Sequence, residues 1–410
     1  MSGHNQTTRR RRITSPRVVA GVLSGTVAAC LVTAGPASAQ HGDHGLADLV
    51  QQDVAAGVPA AFVRVDDGRG RAVEIARQAG WTRRDHELSV QDRVRMGSNT
   101  KTVVATLVLQ QVAEGKLALT DPVSKWLPGA VPGGDNITLR MLLNHTSGLA
   151  DYLNNPAVLP AVLGQDPKQW TPQELVAAGV ALGPLFTPGA HFSYSNTNYI
   201  ALGLVLEKAT GRSLADLIQD RIARPLRLTN TYLTTANKKG GMAHGYEPDA
   251  AHLAPLLPPG VPAGTGFAGP EHNEHVDTTW VNNSTEWAAG GIVSTAEEWA
   301  RFQSALLSGK LLPPAQLAEM RTTVEETPGS PNRYGLGLEQ VTTPCGTVWG
   351  HTGSVPGYST QAYTDPTGRR TVTIFASTVF GLANPKAQAA TQSLVDTAVC
   401  TMLNKPTPTE

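Results

Sequence analysis

Ser98-Asn99-Thr100-Lys101 leads into the apolar-rich run Thr102-Val103-Val104-Ala105-Thr106-Leu107-Val108-Leu109, and the reading of the whole chain turns on this stretch. The run predicts a helix over 98–114 with Ser98 at its start. Side chains three positions apart share a helix face, so Lys101 can reach Ser98. A lysine kept neutral by its surroundings could take the serine proton, and a helix N-terminus favours negative charge developing beside it. The same four residues equally describe a helix-capping serine followed by an exposed lysine.

Outward from this helix, the two chain ends look sheet-forming and the middle helical. Residues 46–56 read as a short helix. Runs 60–65 and 73–81 read as strands joined through the turn-rich Asp66-Asp67-Gly68-Arg69-Gly70, most simply a hairpin. Toward the other end, 347–353, 358–364 and 371–378 are extended candidates. Pro356 and Gly357 supply one reversal, Asp365-Pro366-Thr367-Gly368 the next, and a helix over 386–403 can pack across the sheet. Between them lie helical candidates at 139–143, 172–179, 196–209 and 214–223. The expected fold is α/β (α+β): an antiparallel sheet flanked by helices, built from 45–115 and 286–403, with a mainly helical domain inserted at 116–285. A cleft is expected where the two meet. Residues 248–285, rich in Pro, Gly, Asn and Thr, read as a long surface excursion with little regular structure.

Two further elements carry chemistry-bearing side chains. Tyr194-Ser195-Asn196 precedes a helical run. Its tyrosine could relay protons and Asn196 could hydrogen-bond the lysine region or a substrate carbonyl, although capping and core packing account for it too. His351-Thr352-Gly353-Ser354 lies in a strand. Its histidine could assist proton movement, Thr352 and Ser354 offer hydroxyl donors, and Gly353 permits close backbone approach; a plain edge strand is the alternative.

The chain has 410 residues, 40% hydrophobic and 16% charged, which fits a globular protein of one or two domains. Residues 1–39 carry Arg9 to Arg12, an apolar stretch and Ala37-Ser38-Ala39, so they read as a secretory signal peptide. Lipoprotein processing at Cys30 is the lesser alternative. Removing the segment's five arginines turns 33 basic and 33 acidic groups into 28 and 33, a net charge of about −5 that argues against nucleic-acid binding. In the oxidising compartment so implied, Cys345 and Cys400 are expected to form one disulfide. His272 and His275, with Glu271 and Glu274, do not match a zinc spacing.

In this order the three elements resemble the motifs of the penicillin-recognising serine hydrolases, a family including D-alanyl-D-alanine carboxypeptidases and class C beta-lactamases. Arg95-Met96-Gly97, Asn144-His145-Thr146-Ser147-Gly148-Leu149 and Tyr334-Gly335-Leu336-Gly337-Leu338 extend the likeness over most of 45–402. Histidine in the third motif is more similar to secreted actinobacterial carboxypeptidases, whose disulfide the Cys345 and Cys400 pair also resembles. The resemblance implies Ser98 as nucleophile, Lys101 and Tyr194 as its activators, His351 as a further catalytic residue, and the backbone amides of Ser98 and Ser354 as an oxyanion hole. Asn196, Thr352, Gly353, Ser354, Trp287 and Glu339 would contact substrate, with Trp287 either a cleft wall or a core residue, and His145 would order a loop. The implied reaction is acyl transfer from a D-amino-acid-containing peptide or peptidoglycan stem peptide, with beta-lactams as acylating ligands and neither metal nor cofactor.

One departure bears on the leaving group. The carboxypeptidases carry arginine after the Tyr-Gly-Leu-Gly-Leu run, positioned for a terminal carboxylate; here stands Glu339. Pointed into that subsite it would repel a free acid. Altered preference follows: a D-stereospecific endopeptidase, an amidase or esterase acting on neutral ends, or a carboxypeptidase with another carboxylate contact. A beta-lactamase and a noncatalytic wall-binding protein are the other readings.

Overall fold

The computed structural model describes residues 42–234, 241–257 and 264–407; the expected signal segment and Cys30 lie outside them. An eight-stranded antiparallel sheet forms the frame. Its strands are β1 (Ala60–Asp66), β2 (Val73–Gln78), β3 (Val324–Glu325), β4 (Arg333–Tyr334), β5 (Glu339–Thr343), β6 (Gly346–Val355), β7 (Tyr358–Thr364) and β8 (Thr371–Ala376). They lie in the order β2-β1-β8-β7-β6-β5-β4-β3, so the two chain ends meet where β1 pairs with β8.

Alternation of side chains across a strand sorts the core into two layers. Ala61, Val63 and Val65 of β1 join Val372 and Ile374 of β8 on one face. They are covered by α1 (Gly42–Ala55) and the C-terminal helix Pro385–Met402, through Leu46, Val50, Leu394, Ala398 and Val399. On the other face Phe62 stands opposite Phe375, with ring centroids 5.0 Å apart, and joins the core of the helical region.

Two helices at the centre of that region are buried around almost their whole circumference: α2 (Thr100–Ala113) and α3 (Asn196–Thr210). Their near-continuous apolar sequence leaves them no face for water. Ser98 sits in a 3-10 turn, Gly97–Asn99, that runs straight into α2. Cys345, at the β5–β6 turn, and Cys400, on the C-terminal helix, are joined as expected, with Cα atoms 5.2 Å apart. Among the described residues no helix is long and apolar enough to cross a membrane.

Two expectations need correction. The edge strands β3 to β5 lie in a stretch where no strands were expected; the first two have only two residues each, too few to show a period. Among its described residues, the presumed surface excursion over 248–285 contains short strands and a largely buried stretch at 276–285. Strands Tyr246–Pro248, His275–Asp277 and Glu271–His272 form a small sheet. Val276, Thr278, Thr279, Asn283, Ser284 and Thr285 are buried. Their polarity misleads because hydrogen bonds take them inside: the hydroxyl of buried Thr279 accepts from the Gly245 amide at 2.9 Å.

Candidate active site

Ser98 lies where the 3-10 turn presses on β6. A methyl added at Gly97 would come within 2.6 Å of the Ser354 amide nitrogen, and one at Gly353 within 2.0 Å of the Met96 carbonyl. Only glycines permit this approach, and Gly97 also holds a φ of +51°. The contact is locked from behind. Asn99 Nδ2 donates to Thr360 Oγ1 at 3.0 Å, and Thr360 donates to the Met96 carbonyl at 3.1 Å.

Lys101 is completely buried, with three partners for its Nζ: Ser98 Oγ at 2.9 Å, Asn196 Oδ1 at 2.7 Å and the Ala289 carbonyl at 2.8 Å. Two of these can only accept, whereas the serine hydroxyl can also donate. A neutral amine therefore satisfies the site by donating twice and turning its lone pair to the Ser98 proton. Burial lowers the lysine pKa to about 7, opposed by the negative charges of Glu286, Asp151 and Glu339. Asn196 is held in turn by Asp151, which accepts from its Nδ2 at 2.8 Å and its backbone N–H at 3.2 Å.

Tyr194 completes the group around Ser98. Burial holds the pKa of its hydroxyl well above the ordinary tyrosine value, with the neighbouring Ser98 side chain opposing, so it keeps its proton. Lys101 Nζ lies 4.9 Å from its ring centre. The ring also stacks on His145, centroids 4.2 Å apart. His145 is more than a loop tie: it backs the tyrosine, and its Nδ1 accepts from the Ser195 amide at 3.1 Å.

The structure brings Ser98, Lys101, Tyr194 and Asn196 together but places His351 one shell away. Its Nε2 faces Tyr334 Oη at 2.8 Å and its Nδ1 faces the Thr352 carbonyl at 2.5 Å. Burial, followed by the nearby Lys101 charge, pushes its pKa down to about 3. A neutral, enclosed imidazole is a poor proton carrier, and its contacts suit a residue that orients Tyr334 and β6. Trp287 also departs from the cleft-wall expectation. Its ring is packed against Gly203 of α3, where an added methyl would come within 2.7 Å of it, and only 8% of the residue is exposed.

β6 supplies the second wall. Pairing with β5 ends at Gly350 opposite Glu339, which leaves the edge of 351–355 open toward Ser98. The Thr352 amide donates toward that side, so the Ser354 amide, two residues on, points the same way, beside Gly97. The Ser354 amide thus lies on the open side of β6, beside the turn that carries Ser98. Glu339 accepts from Thr352 twice, from its amide at 3.1 Å and its hydroxyl at 3.0 Å, and lies 3.2 Å from His351 Nδ1. Burial raises its pKa to about 7, with the two Thr352 hydrogen bonds opposing.

Asp151 and Glu286 were not singled out by sequence, and Tyr334 only as the first residue of the run 334–338. Glu286 is buried, its pKa raised to about 7 by burial against the pull of Lys101 and Arg95. Asp151 follows Gly148-Leu149-Ala150 and caps the turn Tyr152–Asn154, a local signal that says nothing of its contact with Asn196. No group of three or more metal-ligating side chains capable of holding an ion occurs among the described residues.

The chain also has relatives among known proteins. The Beta-lactamase family model matches residues 46–396. A D-stereospecific amidohydrolase from Streptomyces sp. superposes with a TM-score of 0.73 at 35% identity, covering 85% of this chain and 98% of that one. A D-amino acid amidase from Ochrobactrum anthropi SV3 gives a TM-score of 0.77 at 25% identity, covering 88% and 99%. The putative penicillin-binding protein PbpX of Bacillus subtilis is 27% identical over 284 residues, 69% of this chain but only 61% of PbpX, less than two thirds of that protein. The chain belongs to the beta-lactamase family, within the serine-hydrolase superfamily that also holds the penicillin-binding proteins.

Proposed function

We propose that this chain is a secreted serine hydrolase that cleaves an amide bond on the carbonyl side of a D-amino acid and prefers a neutral leaving group. Neutral Lys101 accepts the Ser98 proton as Ser98 Oγ attacks the carbonyl carbon. The oxyanion forms against the amides of Ser98 and Ser354, and as the C–N bond breaks Tyr194 passes its proton to the departing nitrogen while the proton held by Lys101 replaces it. Water then attacks the ester on Ser98, giving one proton to neutral Lys101, and as the acid leaves Lys101 returns that proton to Ser98 Oγ.

The observation that carries the leaving-group preference is the double hydrogen bond from Thr352 to Glu339. It engages both Thr352 donors that would otherwise receive a terminal carboxylate, and it sets a buried acid beside them. The expected D-alanyl-D-alanine carboxypeptidase is therefore the less favoured reading, and an amidase of the kind named for the Streptomyces and Ochrobactrum proteins the more favoured. The test is hydrolysis of a D-amino acid amide, its L-enantiomer, and a D-dipeptide with free or amidated C-terminus. D over L and amide over free acid is expected. A strong preference for the free acid would overturn the proposal.

A further inference from the structure

Glu247 is a fully buried carboxylate remote from Ser98 in sequence and absent from the reaction just described. It accepts four hydrogen bonds from neutral donors. Oε1 takes the amides of Gly357 at 2.7 Å and Val379 at 3.0 Å; Oε2 takes the amide of Phe380 at 2.9 Å and the Thr378 hydroxyl at 3.0 Å. Burying a carboxylate is costly unless it is this well satisfied, and burial still raises its pKa to about 7.

What it grips is the reversal between β6 and β7. Val355 pairs with Tyr358, so Pro356 and Gly357 are the whole turn, and Gly357 holds a φ of +78°. The neighbouring chain leaves no slack, since a methyl on Gly357 would meet Thr278 Oγ1 at 2.4 Å and Gly245 at 2.7 Å. Three residues before Gly357 stands Ser354, whose amide abuts Gly97, the residue next to Ser98. The Ser354 amide is thus fixed between two anchors, the nucleophile turn on one side and the Glu247 clamp on the other. An oxyanion donor works only when held in place beforehand, and a displacement of about 1 Å can cost about a hundredfold in rate.

We propose that Glu247 is a positioning residue for the oxyanion hole, holding the β6–β7 turn so that the Ser354 amide is aimed at the tetrahedral intermediate. The inference rests on the acyl-enzyme reading above. It assigns a functional reason to a buried acid that the reaction itself does not use.

The test is Glu247→Gln, which keeps size but turns a donor toward two of the four donors, and Thr378→Val, which removes the bond to Glu247 and the one accepted from the Gly381 amide without touching the turn. Active sites are counted by end-point labelling of Ser98 with an organophosphonate, and kcat is expressed per labelled site. The expected result is a fall of about ten- to a hundredfold for Glu247→Gln and about threefold for Thr378→Val, with KM for a D-amino acid amide within about twofold of wild type. A merely structural role would lower the number of labelled sites and leave kcat per site unchanged; that result in either folded variant overturns the proposal. Wild-type protein that is neither labelled at Ser98 nor active would instead sink the acyl-enzyme reading beneath it, and the inference with it.

Discussion

Replacing Glu339 by Gln should relax the choice between a neutral and an anionic leaving group. A substrate carboxylate bound to the Thr352 hydroxyl would share that oxygen with Glu339, which lies 3.0 Å from it. The two acids would then stand about 5 Å apart, and at an effective dielectric of about 20 their repulsion is about 3 kcal/mol. That corresponds to about a hundredfold in kcat/KM, reduced to between ten- and a hundredfold by the partial exposure of the site. The assay is the ratio of kcat/KM for a D-dipeptide amide to that for the free dipeptide at pH 8. Glu339→Gln should lower the ratio by that factor, chiefly by raising activity on the free acid. Wild type should show the same change with pH. Folding raises the Glu339 pKa to about 7, so below that pH the acid is neutral, the repulsion disappears and the ratio falls. Protonation of Lys101 affects both substrates and cancels in the ratio. A ratio unmoved by Glu339→Gln and flat from pH 5.5 to 8.5 would refute the reasoning.

Lys101→Arg should lower kcat/KM by about a hundredfold or more, because a guanidinium stays protonated and cannot accept the serine proton. For wild type, kcat/KM should rise with pH through about 7 as Lys101 deprotonates, and pH profiles of the two proteins check both statements. Trp287→Ala should cost about 3–5 kcal/mol in chemical denaturation, as removal of a buried aromatic does, while leaving KM of the folded enzyme unchanged; a raised KM without lost stability would restore the cleft-wall role.

What the sequence revealed was what local pattern can carry. The hairpin of β1 and β2, the meander β6 to β8 and the C-terminal helix announce themselves through two-residue and helical periods broken by turn residues. Ser98 and Lys101 were legible because three positions on a helix fix their proximity. The bond from Lys101 to Asn196 spans 95 residues and has no local trace, so only the ordered motifs pointed to it. Trp287 and His351 show the limit of that route. A motif places a residue near a site, but burial decides whether it faces substrate or the core, and here both are turned inward. Asp151, Glu286 and Glu247 escaped notice because acidic residues in polar stretches read as surface; that they are buried follows only from long-range hydrogen bonds and packing.

Ser98 is the centre of the account, and its acylation can be observed directly. Intact-protein mass spectrometry after brief exposure to an activated D-amino acid ester, with acid quenching and peptide mapping, should show one acyl group on the peptide bearing Ser98 and none on the Ser98→Ala protein. An adduct that survives in Ser98→Ala, or hydrolysis of the amide substrate by that variant at the wild-type rate, would contradict it.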